Sequence, residues 1–372
     1  MVKSKVCLSL MALLLMTAVV LSGCTSSKTP KEALEASFAK SSDIKSYSFK
    51  GTLKVNELNL PDQAVDEENS FGTSMGIKLL KNADLSWTGV YQAEPMMSEV
   101  NLSLMLKGDM PITINIPVVM NDKKIWVKIP SIPIFPLPDT ITNKFLELDL
   151  EQLAKESGQP IPKVDQNTTK KLGNDVLGIV FNNVEEKDYL SSIKPKEAGL
   201  PEDAGLDQAI QLHVTKEQLE PFIKTAVEKI APEIIDLLSK NQAYKDAFQL
   251  KQEDLDKYKK ELSEAQSGDL SKKLEEMKKT LKALDLKANI GIDGDDYPVY
   301  TDFALKAGIE QGGKSGNIDL KAVSQMSDIN KEVKFTIGVP KDIITMEQLQ
   351  EQLGGLFGNL GGIGQELEGA AN

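Results

Sequence analysis

Residues 46–56 read SYSFKGTLKVN, and apolar or small residues alternate with polar ones along the whole stretch. The first set consists of Tyr47, Phe49, Gly51, Leu53 and Val55. Because successive side chains of a β-strand point to opposite faces of a sheet, a period of two predicts a strand with one apolar face and one wet face.

The same alternation recurs on both sides of a long central segment. It predicts further strands at 100–106, 112–118 and 125–129, and near the C-terminus at 286–292, 299–309, 318–322 and 333–339. Turn residues at 293–296 and 312–316 separate the later strands at hairpin spacing. Parallel strands buried on both faces read as continuous apolar runs, so clean alternation favours an antiparallel sheet.

Helical signals lie before and between the two strand blocks. Thr29 to Glu32 form a capping box that predicts a helix ending near Ser42. The segment 151–284 has mostly helical spacing, with a second capping box at Thr215. Pro221 and Pro232 are expected to kink or divide the helix that follows that box. Two highly charged helices then end near Leu284, and we expect them to pack on their own body or to cover a partner.

Two apolar groups are candidates for lining a hydrophobic site. A proline-rich loop at 130–138 cannot be a central strand, and it carries Phe135 and Leu137. The helix after Thr215 presents apolar residues at helical spacing, namely Leu219, Phe222, Ile223 and Val227. The loop either forms the mouth of a cavity or packs across the end of a sheet. The glycine-rich tail at 354–372 is expected to be flexible.

The N-terminus predicts the location of the protein. Lys3 and Lys5 precede an uncharged stretch at 6–21, which is short for a membrane span and typical of a secretory signal. The residues from Leu21 to Cys24 resemble the lipobox of bacterial lipoproteins. That resemblance implies cleavage between Gly23 and Cys24 and a diacylglycerol on Cys24. Ordinary secretion and a permanent span are the alternatives.

Composition argues against several classes of function. The formal net charge is −12, and an acidic chain does not seek nucleic acid by bulk electrostatics. No arginine occurs, which removes bidentate recognition of phosphate. Beyond Cys24 and the signal there is no cysteine and only one histidine, His213, so the usual zinc sets cannot form. We therefore expect no metal and no cofactor.

Motifs that mimic catalytic or metal sites have simpler interpretations. Ser37 and Lys40 match the Ser-x-x-Lys of serine acylases, but they fall in a short surface helix. Asp293, Asp295 and Asp296 lack the glycine and the glutamate of a calcium loop, and so predict an acidic turn. His213 falls on the polar side of an alternating stretch, which favours a surface position. We expect no enzyme activity.

The lipobox, the capped helix, residues 46–51 and the late strand-turn-strand at 288–306 occur in an order that resembles the LolA/LppX-like extracytoplasmic lipoproteins of Gram-positive bacteria. The resemblance implies a curved antiparallel half-barrel with helices on its concave face, often enclosing an apolar cavity for acyl chains. It brings no catalytic residues.

The predicted fold is therefore α+β, with a central helical insertion. We expect a signal peptide at 1–23, a lipidated tether at 24–29 and one domain at 30–353. Its strands lie at 47–150 and 285–340, and its helices at 151–284.

The function predicted is that of a lipid-anchored protein on the extracytoplasmic face of the cell membrane that binds a lipid or another hydrophobic ligand. The alternatives are a surface scaffold whose charged helices bind a cell-envelope protein, and a two-lobed substrate-binding lipoprotein, which the strand order disfavours.

Overall fold

The computed structural model describes residues 28–59, 81–108, 110–131, 137–157, 166–264, 266 and 270–352. The predicted signal peptide, Gly23 and Cys24, Phe135 and the tail at 354–372 lie outside these residues. The fold is α+β, as predicted.

Twelve strands form one sheet in the described part of the chain. They are β1 (Ser46–Asn59), β2 (Ala83–Gln92), β3 (Met97–Leu106), β4 (Ile112–Asn121), β5 (Lys124–Lys128), β6 (Phe145–Asp149), β7 (Leu190–Ile193), β8 (Leu206–Thr215), β9 (Leu281–Asp293), β10 (Pro298–Gln311), β11 (Lys314–Ser327) and β12 (Ile343–Thr345).

The helices are α1 (Pro30–Ser41), α2 (Leu150–Ser157), α3 (Gln166–Asn183), α4 (Glu186–Tyr189), α5 (Lys216–Thr225), α6 (Ala231–Lys240), α7 (Gln242–Phe248), α8 (Gln252–Glu264) and α9 (Leu270–Thr280). A π-helical turn, Ala226–Ile230, joins α5 to α6, and residues 346–352 are also helical. Both predicted capping boxes are present.

The sheet consists of two meanders joined in the middle. Its strand order is β12-β6-β5-β4-β3-β2-β1-β11-β10-β9-β8-β7, so each meander follows the chain and β1 pairs with β11. All pairs are antiparallel except β12 with β6, which corrects the prediction of a purely antiparallel sheet. The sheet is curved and open, with β7 and β12 at its edges.

Two adjacent rows of paired residues, one on each face of the sheet, differ sharply in polarity. One row of paired residues crosses nine strands and is apolar throughout: Ile114, Leu104, Leu85, Leu53, Ala322, Phe303, Ala288, Leu212 and Leu190. The adjacent row on the other face is Asn115, Ser103, Ser86, Thr52, Val323, Asp302, Asn289, Gln211 and Ser191. A slip of one residue would exchange the faces, so this pattern specifies the register.

Helices α1 and α3 cover the apolar face at one side of the sheet. Ala33 and Leu34 of α1 and Phe181 of α3 form a buried cluster with Ile210 of β8 and Ile292 of β9. Phe38, Leu177, Leu190 and Ile290 pack around this cluster. The helical layer therefore lies over β7 to β9, as the predicted arrangement of helices on one face requires.

Residues 328–342, here called the strap, connect β11 to β12 and must pass over β1 to β5 to do so. At one end the Asn330 amide donates to the Ser46 carbonyl at 2.8 Å. At the other end the Phe145 amide donates to the Asp342 carbonyl at 2.9 Å. The predicted strand at 333–339 is wrong, because this part of the strap joins no sheet.

Glu99 of β3, on the polar face, fastens the middle of the strap. Its Oε2 accepts from the Thr336 amide at 2.8 Å and from the Thr336 hydroxyl at 3.0 Å. Its Oε1 accepts from the amides of Ile337 at 2.9 Å and Gly338 at 2.6 Å. These amides donate to a carboxylate instead of to the backbone of a neighbouring strand. This explains why the alternating sequence does not form a β-strand here.

The middle of the chain departs from the prediction in two places. Strands β7 and β8 lie inside the segment predicted to be helical, 151–284. Strand β9 starts at Leu281, although Leu281 and Leu284 continue the apolar spacing of α9. Leu281 pairs with Ile309, so the length of β10 sets where the helix ends.

Candidate functional site

The apolar face of β1 to β6 is the strongest candidate for a functional surface. Trp87, Leu102, Leu104 and Ile116 lie on it and are only half-buried, whereas Ile114 is 8% exposed. The cluster around α1 and α3 covers the same face, but over β7 to β9. Within the described residues, this part of the face is therefore not fully removed from water.

Four aromatic rings form a shelf on this face, across β1 and β2. Tyr47 and Phe49 of β1 have ring centroids 5.6 Å apart, and Tyr47 and Tyr91 of β2 have centroids 5.2 Å apart. Trp87 of β2 completes the aromatic shelf. Tilted aromatic pairs at these distances attract one another beyond their simple burial. Burial, and secondarily Tyr91, raises the pKa of the Tyr47 hydroxyl.

Two glycines make the aromatic shelf possible. A Cβ on Gly51 would lie 2.3 Å from Cε2 of Trp87, and a Cβ on Gly89 would lie 2.5 Å from Cζ of Phe49. The ring of Trp87 therefore lies directly on the backbone of β1, and the ring of Phe49 on the backbone of β2, in space that a side chain would otherwise fill. This arrangement gives an aromatic surface within the apolar face.

The predicted helix residues lie together. Leu219, Phe222 and Ile223 are in α5 and Val227 is in the π-helical turn, and all four are half-buried. The ring of Phe222 meets that of Tyr189 edge to face, with centroids 5.4 Å apart. These residues occupy the helical layer near β8 and β9, and α5 begins directly after β8.

The predicted effect of Pro232 is visible at the end of the π-helical turn. The Ala231 amide donates to the Ala226 carbonyl, five residues back. Continuing that register would require an N–H at residue 232, and proline has none. The Val227 carbonyl accepts from Nε2 of Gln266 instead, at 2.8 Å. The connection between α8 and α9 thereby supplies the donor for this carbonyl.

The charged helices α8 and α9 pack on their own body. Leu255 and Leu274 are each 3% exposed. Lys259 of α8 contacts Asp236 of α6 at 2.7 Å, and Lys278 of α9 contacts Glu220 of α5. Lys224 and Lys278 lower the pKa of Glu220 to about 2.

The loop predicted as a cavity mouth lies elsewhere. Leu137 is half-buried in the connection between β5 and β6, and its carbonyl accepts from the Thr142 hydroxyl at 3.3 Å. Six strands separate β5 from β9 in the sheet order, so Leu137 and the α5 residues are not neighbours along the sheet. Phe135 lies outside the described residues.

His213, Asp285 and Lys287 form a small polar cluster on β8 and β9. His213 Nε2 lies 2.7 Å from Asp285 Oδ1, and Lys287 Nζ lies 3.0 Å from Asp285 Oδ2. Lys287 and then His213 hold the pKa of Asp285 below its usual range. All three side chains are partly exposed, and His213 lies on the polar side of β8, as predicted. Within the described ranges, no group of three or more His, Cys, Asp or Glu is arranged to hold a metal ion.

Among the described residues, two cavities lie away from the aromatic shelf. One, of about 390 Å³, lies under the strap and is lined by residues such as Thr88, Asn101 and Lys334. The other, of about 190 Å³, lies beside β6 and β12, with Gln152 and Met346 in its lining. Both mix polar and apolar groups, unlike the apolar face. Among the helices that the structure describes, none has the length and apolarity that a membrane crossing requires.

Sequence reasoning missed half of the aromatic shelf because it missed strand β2. Ala83, Leu85, Trp87, Gly89 and Tyr91 alternate with partners that are polar except for Val90, much as in β1. The signal was thus present in the sequence. The pairing of β2 with β1, which brings Trp87 onto Gly51, is not readable from either strand alone.

Comparisons with known proteins provide little beyond the fold described above. No protein-family model matches the chain, and no curated protein matches it. One solved structure that resembles it is a β-barrel-like protein of a domain of unknown function, DUF1849, from Brucella abortus. The identity is 9%, the match covers 77% of this chain and 99% of that chain, and the TM-score is 0.15.

Proposed function

We propose that this protein is a non-enzymatic lipoprotein, anchored to the outer side of the cell membrane through Cys24, that binds a lipid or another apolar ligand on the apolar face of β1 to β6. The observation that carries the proposal is the continuous apolar face with its half-buried side chains. The lipobox resemblance supplies the location, and the likeness to LolA/LppX-like proteins agrees with the ligand class.

The size of the apolar face favours binding of a ligand there. Strands β1 to β4 have ten or more residues and form an area about 14 Å wide and about 33 Å long, and the five-residue strands β5 and β6 add about 10 Å of width over about 17 Å of length. Soluble monomers rarely expose contiguous apolar patches larger than a few hundred Å², and this face has a projected area of about 600 Å². Its half-buried state leaves apolar surface that a ligand can cover.

The chemistry of the face favours an acyl chain over a polar ligand. The paired residues Ile116, Leu102 and Trp87 form an apolar row that ends on Gly51. Apolar binding sites gain their affinity from burial and use few polar groups for orientation. Tyr47 and Tyr91 bring hydroxyl groups to the aromatic shelf, among its few polar atoms.

Native mass spectrometry of protein purified from membranes tests the proposal. We expect co-purifying lipid in the unmodified protein and its loss in Leu104→Gln, which puts an amide on the apolar face. Met105→Gln is the matched control, because Met105 is the next residue of β3, points to the opposite face and is 40% exposed. Absence of lipid from the unmodified protein, or equal lipid in both variants, would refute the proposal.

A scaffold function is less supported. Helices α8 and α9, the charged pair on which such a function would depend, each bury a leucine and form ion pairs with α6 and α5. The pair thus has a role in stabilising the helical layer.

A further inference from the structure

The chain beyond Gln352 carries its own apolar segment. Leu353, Leu356, Phe357, Leu360 and Ile363 fall within eleven residues, and glycine fills most of the positions between them. No charged residue occurs from 353 to 365, in a chain where 26% of the residues are charged. Such a segment gains free energy by leaving water for an apolar surface.

The structure shows where this segment starts. Residues 346–352 are helical, and the Thr140 hydroxyl donates to the side-chain oxygen of Gln352. Thr140 belongs to the connection between β5 and β6. Val127 and Leu146, which pair near the ends of that connection, lie on the apolar face. The segment therefore leaves the body beside the border of this face.

The segment is long enough to reach the aromatic shelf. Eleven residues span up to about 36 Å when extended. From β6 to β1 there are five inter-strand steps of about 4.8 Å, or about 24 Å. A covalently attached segment is present at an effective concentration in the millimolar range. A second copy of the chain must instead overcome repulsion between bodies with a formal net charge of −12 each.

We infer that residues 353–363 dock on the apolar face of β1 to β6 when no ligand is bound, and that ligand displaces them. The first half of this inference is independent of the proposed function, and the second half rests on it. The segment acts as an internal competitor, so it lowers the apparent affinity of the face for an apolar ligand and protects the face from aggregation.

Trp87 provides a direct readout, because the chain has only two tryptophans. Trp126 lies on the opposite face, 3% exposed, and donates to Glu147 at 2.8 Å. In the full chain with Trp126→Phe, Trp87 alone reports on the apolar face. We would compare three forms: the full segment, a chain ending at Gln352, and a chain with Leu356, Phe357 and Leu360 replaced by serine.

Acrylamide quenching of Trp87 and binding of the fluorescent fatty acid cis-parinaric acid are then measured. Both modified forms should show several-fold stronger quenching and several-fold tighter fatty-acid binding. The control, Glu366→Ser with Glu368→Ser, should match the full segment. Unchanged quenching in the truncated form would overturn the inference. Increased quenching with no fatty-acid binding in any form would retain docking and refute the proposed function instead.

A disulfide test identifies the occupant. With Cys7 and Cys24 replaced by serine, we would introduce Leu102→Cys and Phe357→Cys into the full chain. The inference predicts a disulfide within one chain under mild oxidation. A disulfide formed only between two chains would assign the face to a second copy and contradict internal docking.

Discussion

At the scale of single residues, the aromatic shelf depends on the absence of two side chains. Gly51 lies under Trp87, and a Cβ there would also come within 2.6 Å of the Val323 carbonyl oxygen. Neither the ring nor the backbone of β11 can move without disturbing its own packing. The glycine is therefore required by a close approach and not by a turn.

Gly51→Ala should lower the free energy of unfolding by about 1 to 3 kcal/mol, the usual cost of overpacking, and should shift the emission of Trp87. Urea unfolding and fluorescence measure both effects. Gly308→Ala is the matched control, because its added Cβ would be 3.6 Å from Ala283, an ordinary contact in the same sheet. Equal stability of the two variants would contradict the close approach.

At the scale of elements, the strap shows why a strand pattern can mislead. Val333, Phe335, Ile337 and Val339 alternate as well as any true strand does. What distinguishes the strap is the carboxylate of Glu99, more than 200 residues earlier in the chain. No local pattern contains that partner, so its effect could not be predicted from the sequence.

Glu99→Ala should detach the middle of the strap and destabilise the protein by about 2 to 3 kcal/mol, because three amides lose a charged acceptor. Hydrogen exchange at Thr336, Ile337 and Gly338 should increase in the same variant. Glu332→Ala changes an exposed glutamate of the strap itself and should leave both quantities nearly unchanged. Slow exchange in Glu99→Ala would show that the strap is held by other contacts.

The contact between α5 and α9 predicts a pH dependence. The folded-state pKa of Glu220 is about 2, below its ordinary value of 4.5, because Lys224 and Lys278 donate to it. A lowered pKa means that this contact contributes stability above about pH 4.5 and loses it progressively as the pH falls towards 2.

Hydrogen exchange in α9 should therefore rise between about pH 4.5 and 2, after correction for intrinsic rates. Glu220→Gln should remove this dependence, and Glu228→Gln, at an exposed position in the π-helical turn, should keep it. An identical acid response in the Glu220 variant would mean that other carboxylates hold α9.

Much of the element order was predictable, for a specific reason. Strands such as β1, β3, β4, β10 and β11 have one apolar face and one polar face, so their period of two is visible. Strand β9 was only partly predicted, because Leu281 and Leu284 suit both a helix and a strand. β12 has three residues, too few to show a period.

At the scale of the whole molecule, the apolar face of the sheet is buried to different extents over β7 to β9 and over β1 to β6. Over β7 to β9 the apolar face is filled by α1 and α3 and serves as a core. Over β1 to β6 the same face is continuous with that core but only half-buried in the described residues. The sequence could predict that the sheet has an apolar face. It could not predict which part of that face is core and which part could bind a ligand, because both have the same alternating pattern.

Membrane anchoring is a separate prediction at this scale. Cys24→Ser should abolish labelling by radioactive palmitate and move the protein from the membrane fraction to the soluble fraction. Cys7→Ser, the matched change inside the signal, should leave both unchanged. Membrane association that persists without labelling in Cys24→Ser would indicate a different mode of attachment.

Photoaffinity labelling maps directly where an apolar ligand binds to the protein. A photoreactive fatty acid is added to the purified full chain, irradiated, and its adducts are located by mass spectrometry of peptides. We predict adducts on the apolar face of β1 to β6, at positions such as Phe49, Trp87 and Leu102, and a reduction of these adducts by an excess of unlabelled fatty acid. Adducts confined to the polar face or to the charged helices α8 and α9, or no displaceable adducts at all, would contradict this prediction.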